Sequence, residues 1–419
     1  MQKIRIAVVG LGYVGMPLAI ELSKNFFTIG FDINKKRINE LKNCIDRTKE
    51  NKITKKLLSK LEITSKLKKI STCNVYIVTV PTPIFSNKKP NLIPLSNALS
   101  DINKIIKKKD LIIIESTVYP GATEELVKKF INKKFVLNRD YHIGFCPERI
   151  NPGDRKHNIT NINKVISGSS NYARKTAYLI YSKITNSKVY IAQNIKTAEA
   201  AKIIENTQRD LNVALINELS LICSKLKINT HKVLEAANTK WNFMKFEPGL
   251  VGGHCIGVDP YYLTYKAKKI GVNPTVILAG RNINDSMPKK IVNSIFLNLK
   301  KRKIQLNKFK TLILGFTFKE NCSDIRNSKV KDLFKEIKKK TNDVKIYDPL
   351  VDLSDVDKKT RPYFLKNLNN NKYDLMIFAV KHKYFLKYKE KIIKKNSKKN
   401  TYFVDLKNML KNNNADYTL

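Results

Sequence analysis

The apolar run IRIAVV at residues 4–9 passes directly into GLGYVG at 10–15, and that into the helix-forming stretch PLAIELSKN. A chain with glycines at 10, 12 and 15 between a strand and a helix has few folds open to it. Gly10 permits the tight turn, Gly12 lets the backbone approach a pyrophosphate, and Gly15 lets the helix pack on the strand. The helix entered through Tyr13 and Val14 then offers N–H groups and a partial positive charge to phosphates. Asp32 ends the next strand, twenty residues after Gly12. A carboxylate there accepts hydrogen bonds from both ribose hydroxyls and repels a 2′-phosphate, which selects NAD over NADP. Arg37 either stacks on or near the adenosine or stands in solvent. The blander reading of the whole motif is a tight turn in a Rossmann-like domain that holds no nicotinamide.

The rest of the chain extends this pattern. Strands are expected at 4–9, 28–32, 75–80, 111–115, 141–145, 164–167 and 188–192, where Val/Ile runs mark burial on both faces and intervening helices suggest parallel crossovers. Residues 197–226 carry apolar positions at helical spacing with no Gly or Pro, which predicts one long helix connecting domains and forming an oligomer contact. A loop is expected over 238–262 and a helix at about 275–300. Strands return at 311–316, 344–348, 374–380 and 401–406. The fold class is α/β. An N-terminal Rossmann-like domain covers 1–193, a central helical region 194–303, and a smaller Rossmann-like domain 304–419.

Composition narrows the function classes. The six cysteines are scattered with no CxxC pair, which fits a reducing, cytoplasmic setting and argues against a disulfide framework or a metal site. The start of the chain reads as a strand rather than a secretory signal, and no apolar run predicts a membrane span. The net charge of +45, from 80 Lys+Arg against 35 Asp+Glu, permits a nucleic-acid or anionic-membrane binder. The lysines are spread over the whole chain, however, as compositional drift would spread them. The reading taken is no nucleic acid and no membrane, with a positive field that favours an anionic substrate.

PGLVGGHCIGVDP, residues 248–260, sets Cys255 beside His254, behind two glycines and four residues before Asp259. A cysteine here is either a small buried hydrophobe or a thiol that meets a substrate. A free thiol with a pKa near ~8.5 is a few per cent thiolate at neutral pH. Supplying the thiolate outright costs about 2 kcal/mol. A nearby cation offsets that. Lys202 and Asn206 stand at i, i+4 on the predicted long helix and share a face. A lysine there stabilises both a thiolate and an oxyanion, and one oxyanion donor is worth roughly 3 kcal/mol. Combined with a nicotinamide site, these residues point to oxidation through a covalent thiol adduct.

Longer motifs add a resemblance. GLGYVGMPLA (10–19), VPTPI (80–84), ESTVYPG (115–121), CPERINPGD (146–154), KIIENTQRDLNVALINE (202–218), KWNF (240–243), PGLVGGHCIGVDPYYL (248–263), LAGRNINDSM (278–287) and GFTFKENCSDIRNSKV (315–330) occur in family order. Over about residues 3–410 the chain resembles the UDP-glucose/UDP-mannuronate dehydrogenase family. It resembles most the branch that oxidises UDP-N-acetylhexosamines, glucosamine or galactosamine, for surface polysaccharides. His254, KWNF and PYYL are typical of that branch.

The resemblance implies a four-electron oxidation of a C6 alcohol to a uronic acid, with NAD as cofactor. It makes Cys255 the nucleophile, Lys202 and Asn206 the oxyanion holders, and Asp259 a water-positioning group or base. Glu148 acts in thioester hydrolysis and Thr117 holds a water. Thr82 and Thr117 face the nicotinamide. It places UDP on the C-terminal domain, with Phe318 packing on it and Lys319 and Arg326 at diphosphate and sugar. Glu148, Arg149, Lys202, Asn206, Gly249 and Gly252 complete the substrate contacts, and the assembly is a homodimer or larger. Glu247, Ser323 and Asn91 depart from the pattern, standing where the family has Arg, Pro and Asp. UDP-N-acetylmannosamine and UDP-glucose remain alternative substrates. A simple two-electron dehydrogenase without need of Cys255, and a cofactor-dependent nucleic-acid binder, remain alternative functions.

Overall fold

The computed structural model describes residues 3–48, 52–132, 134–150, 157–253, 255–302, 309–368, 370–410 and 415–419. His254 and residues 151–154 of the CPERINPGD motif lie outside that set. The chain forms two compact units, Met1–Glu205 with Tyr261–Asn273, and Asn206–Pro260 with Pro274–Leu419.

The first unit runs β1 (Arg5–Val9), α1 (Gly15–Ser23), β2 (Phe27–Phe31), α2 (Lys35–Lys42), α3 (Lys55–Leu58), β3 (Glu62–Thr64), α4 (Leu67–Ile70), β4 (Val75–Val78), α5 (Ile93–Asn103), β5 (Asp110–Ile114) and α6 (Ala122–Phe130). It continues through β6 (Tyr141–Phe145), β7 (Lys164–Gly168), α7 (Asn171–Ser182), β8 (Val189–Ile191) and the start of α8 (Ile195–Leu226). Its eight strands order as β3-β2-β1-β4-β5-β6-β7-β8. The order reverses between β1 and β4, so the ends of those strands open the crevice where nucleotides bind in such sheets. The core is built from the Val/Ile runs: Ile6, Val8, Val75, Ile77, Leu111 and Ile113 are buried against Leu18, Leu22 and Ile180 of the flanking helices.

One expectation fails here. β7 pairs antiparallel with β6, Gly144 facing Gly168 and Phe145 facing Ser167, instead of following a parallel crossover. No helix stands between β6 and β7 among the described residues, and a parallel return needs one. The structure also adds the short strand β3, whose three residues carry no periodicity in the sequence.

The second unit holds the rest of α8, then α9 (Thr230–Ala237), the first residues of α10 (Asp259–Lys269), α11 (Thr275–Lys301), β9 (Lys310–Leu314), α12 (Lys329–Lys338) and β10 (Asp343–Tyr347). β11 (Tyr373–Phe378), α13 (Lys383–Asn396), β12 (Ser397–Asp405) and β13 (Tyr417–Thr418) complete it. Its sheet orders as β10-β9-β11-β12-β13, all neighbours parallel. The expected loop over 238–262 ends early, because α10 already begins at Asp259.

The two sheets repeat one turn. In the first, Gly10 (φ +99°) donates its N–H to Phe31 O at 2.8 Å, and Asp32 accepts from Leu11 N and Asn34 N, each at 2.8 Å. In the second, Gly315 (φ +93°) donates to Tyr347 O at 2.9 Å, and Asp348 accepts from Phe316 N at 2.6 Å and Leu350 N at 2.9 Å. Left-handed backbone after the strand makes each of these positions a glycine.

Helices α8 and α11 pack through a buried polar seam. Arg281 meets Asp210 at 2.5 Å and Asp285 at 2.5 Å, and Asn284 bonds both Asp210 and Asn217. Gly280 allows the approach, since a Cβ there would lie 2.5 Å from Leu211. Arg281→Met strands the Asp210 carboxylate and is expected to destabilise the unit by about 3–5 kcal/mol, whereas Arg281→Leu with Asp210→Leu recovers much of the loss. Urea unfolding of the two variants checks this.

Candidate active site

The glycine turn of the first unit is braced from behind. Thr79 Oγ1 donates to Gly10 O at 2.7 Å, and Arg37 Nε donates to Leu11 O at 2.9 Å. Arg37 is buried and pairs with Asp46 at 2.8 Å. It is therefore not the solvated side chain that one of the two sequence readings allowed. Asp32 stays half-buried at the end of β2. An added Cβ at Gly15 would sit 1.8 Å from Gly10 O, whereas one at Gly12 would meet nothing within 4 Å. Gly12 thus leaves open space above a turn lined with N–H groups, the shape a pyrophosphate fills. Tyr13 and Val14 are half-buried beside it. Thr82 and Thr117 stand half-buried on the loops that leave β4 and β5. Tyr262 of α10 fixes the first of these loops by donating to Thr82 O at 2.9 Å.

The turn after β9 differs. Asp348 is buried and lies 3.1 Å from Nε2 of the fully buried His382. Of the two acids at strand ends, only Asp32 remains reachable by a ribose.

In the second unit, Asn206 of α8 donates to Asp259 Oδ2 at 2.6 Å. Asp259 is the first residue of α10, and its own N–H donates to Cys255 O at 2.8 Å. The Cys255 loop is thereby wound into one turn leading into the helix, with the side chain of Cys255 exposed. Lys202 lies one turn before Asn206 on α8, buried to 8% exposure.

Glu148 is buried beyond the end of β6. Its Oε1 accepts from Arg149 N at 2.6 Å and Ile150 N at 2.7 Å, and its Oε2 meets Lys164 Nζ at 3.0 Å. Arg149 turns its guanidinium to Glu205 at 2.7 Å.

The proposed nucleotide contacts of the second unit also gather. Asn217 holds Gly249 by both main-chain groups, at 2.8 and 3.0 Å. Gly253 (φ +86°) packs so closely on Phe318 that a Cβ would be 2.7 Å from the ring. Gly252 backs onto Asn327, with 2.6 Å between a Cβ and its carbonyl oxygen. Lys319 Nζ lies 5.6 Å from the Phe318 ring centre. Arg326 is half-exposed and bidentate with Asp324, at 2.9 and 2.6 Å. Among the departures, Asn91 accepts from Ile93 N at the start of α5, and Glu247 is exposed.

The chain matches the UDP-glucose/GDP-mannose dehydrogenase family in three parts: the NAD binding domain over residues 4–185, the central domain over 196–286 and the UDP binding domain over 312–412. The chain belongs to that family. As a nucleotide-sugar dehydrogenase it uses NAD, consistent with the open Gly12 turn and Asp32. The UDP-N-acetyl-D-glucosamine 6-dehydrogenase of Salmonella typhi is 45% identical over 424 residues, spanning 100% of this chain and 99% of that protein. The enzyme of that name from Pseudomonas aeruginosa is 46% identical, spanning 100% of both. Among solved structures, the UDP-D-ManNAc dehydrogenase of Pyrococcus horikoshii superposes with a TM-score of 0.88 at 29% identity, covering 99% of this chain and 98% of that one.

Several residues of this dehydrogenase escaped the sequence reading. Glu199 of α8 accepts from Thr123 N at 2.9 Å and from Gly121 N at the start of α6, and burial pushes its pKa up to about 7. Lys164, Glu115 and Tyr181 form a buried polar group around Glu148. The one sequence signal for it was a lysine opening the apolar strand KVIS. No helix among the described residues is long and apolar enough to cross a membrane.

Proposed function

We propose that this dehydrogenase oxidises the C6 hydroxyl of UDP-N-acetylglucosamine to the uronic acid, in the cytoplasm, for surface polysaccharide synthesis. The observation that carries the substrate is the full-length identity of 45–46% to two UDP-N-acetyl-D-glucosamine 6-dehydrogenases, against 32–36% to the UDP-N-acetyl-D-mannosamine enzymes. UDP-N-acetylgalactosamine is the nearest alternative, then UDP-N-acetylmannosamine and UDP-glucose. The scattered cysteines without a CxxC pair support a reducing compartment.

In balance, one alcohol and one water give one carboxylate and three protons as two NAD become two NADH. NAD, when bound, supplies the acceptor for both hydrides. Gly10, Gly12, Tyr13, Val14, Gly15 and Asp32 would hold its pyrophosphate and ribose, Arg37 would brace that turn, and Thr82 and Thr117 would line its nicotinamide end. Lys202 and Asn206 stabilise the oxyanion that develops on the C6 oxygen. Cys255 Sγ adds to the aldehyde carbon and gives a thiohemiacetal. Once that carbon is oxidised, the adduct is a thioester. Water positioned by Asp259 and Thr117 adds to it with Glu148 taking a proton, the C–S bond breaks, and the sulfur regains its proton. Phe318, Lys319, Arg326 and the glycine loop at 249–252 would hold the UDP.

We assign the three segments 1–193, 194–303 and 304–419 to cofactor, coupling and nucleotide binding. The exposed Leu215, Ile222 and Leu226 share a face of α8 and support a homodimer or larger assembly. The test is a panel of UDP-N-acetylglucosamine, UDP-N-acetylgalactosamine, UDP-N-acetylmannosamine and UDP-glucose read by NADH. The highest kcat/KM is expected with the first, at two NADH per sugar. A preference for the mannosamine sugar, or one NADH per sugar with free aldehyde, overturns the reading.

A further inference from the structure

Behind Glu148 lies a sealed group of ionisable side chains to which the proposed steps give no work. Lys164 (1% exposed), Glu115 (2%), Tyr181 (0%) and Cys146 (1%) pack together with Glu148 (6%). The antiparallel run of β7 explains how they meet. β5 and β6 end at one edge of the sheet and deliver Glu115 and Cys146–Glu148 there. Because β7 runs the other way, its first residue, Lys164, reaches that same edge. A parallel β7 would have carried this lysine to the far end of the sheet.

The contacts are specific. Lys164 Nζ meets Glu148 Oε2 at 3.0 Å. Tyr181 of α7 donates its hydroxyl to Glu115 Oε1, and the other oxygen of Glu115 is buried with no hydrogen-bond partner among the described residues. A carboxylate offers about four acceptor positions. Among the described residues, Glu148 has two filled on Oε1 and one filled on Oε2. The remaining position is on the oxygen that Lys164 holds.

We propose that Lys164 is a positioning residue for the acid-forming step, its ammonium fixing Glu148 so that one Oε2 lone pair is aimed for proton uptake from water, with Glu115 balancing the buried charge behind it. The proposal rests on the reading that Glu148 acts in thioester hydrolysis. The proton of the attacking water passes to Glu148 Oε2, its oxygen bonds to the acyl carbon, and the C–S electron pair leaves with sulfur.

The charges fit this role. Burial opposes the Lys164 ammonium, but Glu148 and Glu115 outweigh it and hold its pKa above the ordinary value. Burial pushes Glu115 upward, to about 7, with Lys164 pulling down and Glu148 pushing up. Burial also raises Tyr181 and Cys146, so both stay neutral. Among the described residues, these five groups, from the ends of β5 and β6, from β7 and from α7, are the titratable ones that face one another here. Arg149, next in the chain, directs its charge to Glu205.

The experiment uses the full chain with NAD and UDP-N-acetylglucosamine. Acyl-Cys255 is read by intact mass, hydride transfer by the pre-steady-state NADH burst, and NAD affinity by fluorescence. Glu148→Gln is the reference and should trap the thioester. Lys164→Met combined with Glu115→Gln removes one charge of each sign, so the buried group keeps its balance. It is expected to lower kcat about 100-fold, as a base displaced by about 1 Å would, with the burst and NAD affinity unchanged, KM for the sugar falling with kcat, and the thioester accumulating. Lys164→Arg should restore at least a tenth of the lost rate. Glu115→Gln should remove a limb near pH 7 from the pH profile of hydrolysis. If Glu148→Gln traps the thioester while the double variant turns over at the parent rate, the positioning role is wrong and the reading of Glu148 survives. If Glu148→Gln traps nothing, that reading fails and the positioning role falls with it. If the double variant loses the burst or NAD affinity in proportion to kcat, Lys164 is merely structural and the proposal is overturned.

Discussion

Cys255→Ser is expected to lower uronic acid formation by roughly 1,000-fold or more, on the scale of removing a covalent nucleophile. The melting temperature and NAD affinity should not change. A thiol is intrinsically nucleophilic, whereas a serine hydroxyl needs a strong adjacent base. The loop itself should tolerate the exchange. Cys255 is exposed, and its carbonyl, which the substitution leaves in place, accepts the N–H groups of Val258 and Asp259 at 3.0 and 2.8 Å. The decisive measurement counts NADH against acid for each variant. A serine enzyme that still makes acid at two NADH per sugar, at a rate near the parent's, rules out the thioester route.

The second large effect separates two glycines three residues apart. Gly12→Ala should weaken NAD binding by roughly 10- to 100-fold, about 1.4–2.8 kcal/mol, and leave the melting temperature of the NAD-free protein unchanged. Among the described residues, chain neighbours aside, nothing lies within 4 Å of the added methyl, so the penalty arises from the phosphate that must approach the backbone there. Gly15→Ala should act on the fold itself. Its methyl would lie 1.8 Å from Gly10 O and 2.3 Å from Thr79 Oγ1, and the first of these is backbone that cannot swing aside. Overpacking of that kind is expected to destabilise the unit by about 3 kcal/mol, a drop in melting temperature of roughly 6–12 °C. Calorimetry and NAD titration of both variants test the pair. Equal melting losses, or equal affinity losses, would contradict the separation.

Much of the first sheet was legible because strands buried on both faces must be apolar at nearly every position. VYIV of β4 and DLIII of β5 are buried throughout, and each was read within a residue or two. The long helix was legible for a related reason. Thirty-two residues without glycine or proline leave few other conformations. The direction of β7 was not legible, because KVISG has the same composition whichever way it runs. The partners of Arg37 were equally hidden. Asp46 lies nine residues on, in a segment without regular periodicity, and only the folded chain shows that the guanidinium serves Leu11 O and Asp46. Arg281 and Asn284 stood inside a motif that was noticed, yet the helical pattern could not tell that their polar face would be buried against Asp210 and Asn217.

Local rules, acting over a few residues, determined which segments became strands, where glycine had to stand, and that Cys255 and the Lys202–Asn206 pair were chemically unusual. Tertiary structure decided what depends on residues distant in the chain. It left Asp32 open at one glycine turn and closed Asp348 with His382 at the other. It also carried Lys164 to the strand ends beside Glu115 and Glu148. Side-chain type and spacing are properties of neighbours along the sequence, whereas burial and charge pairing are properties of neighbours in space.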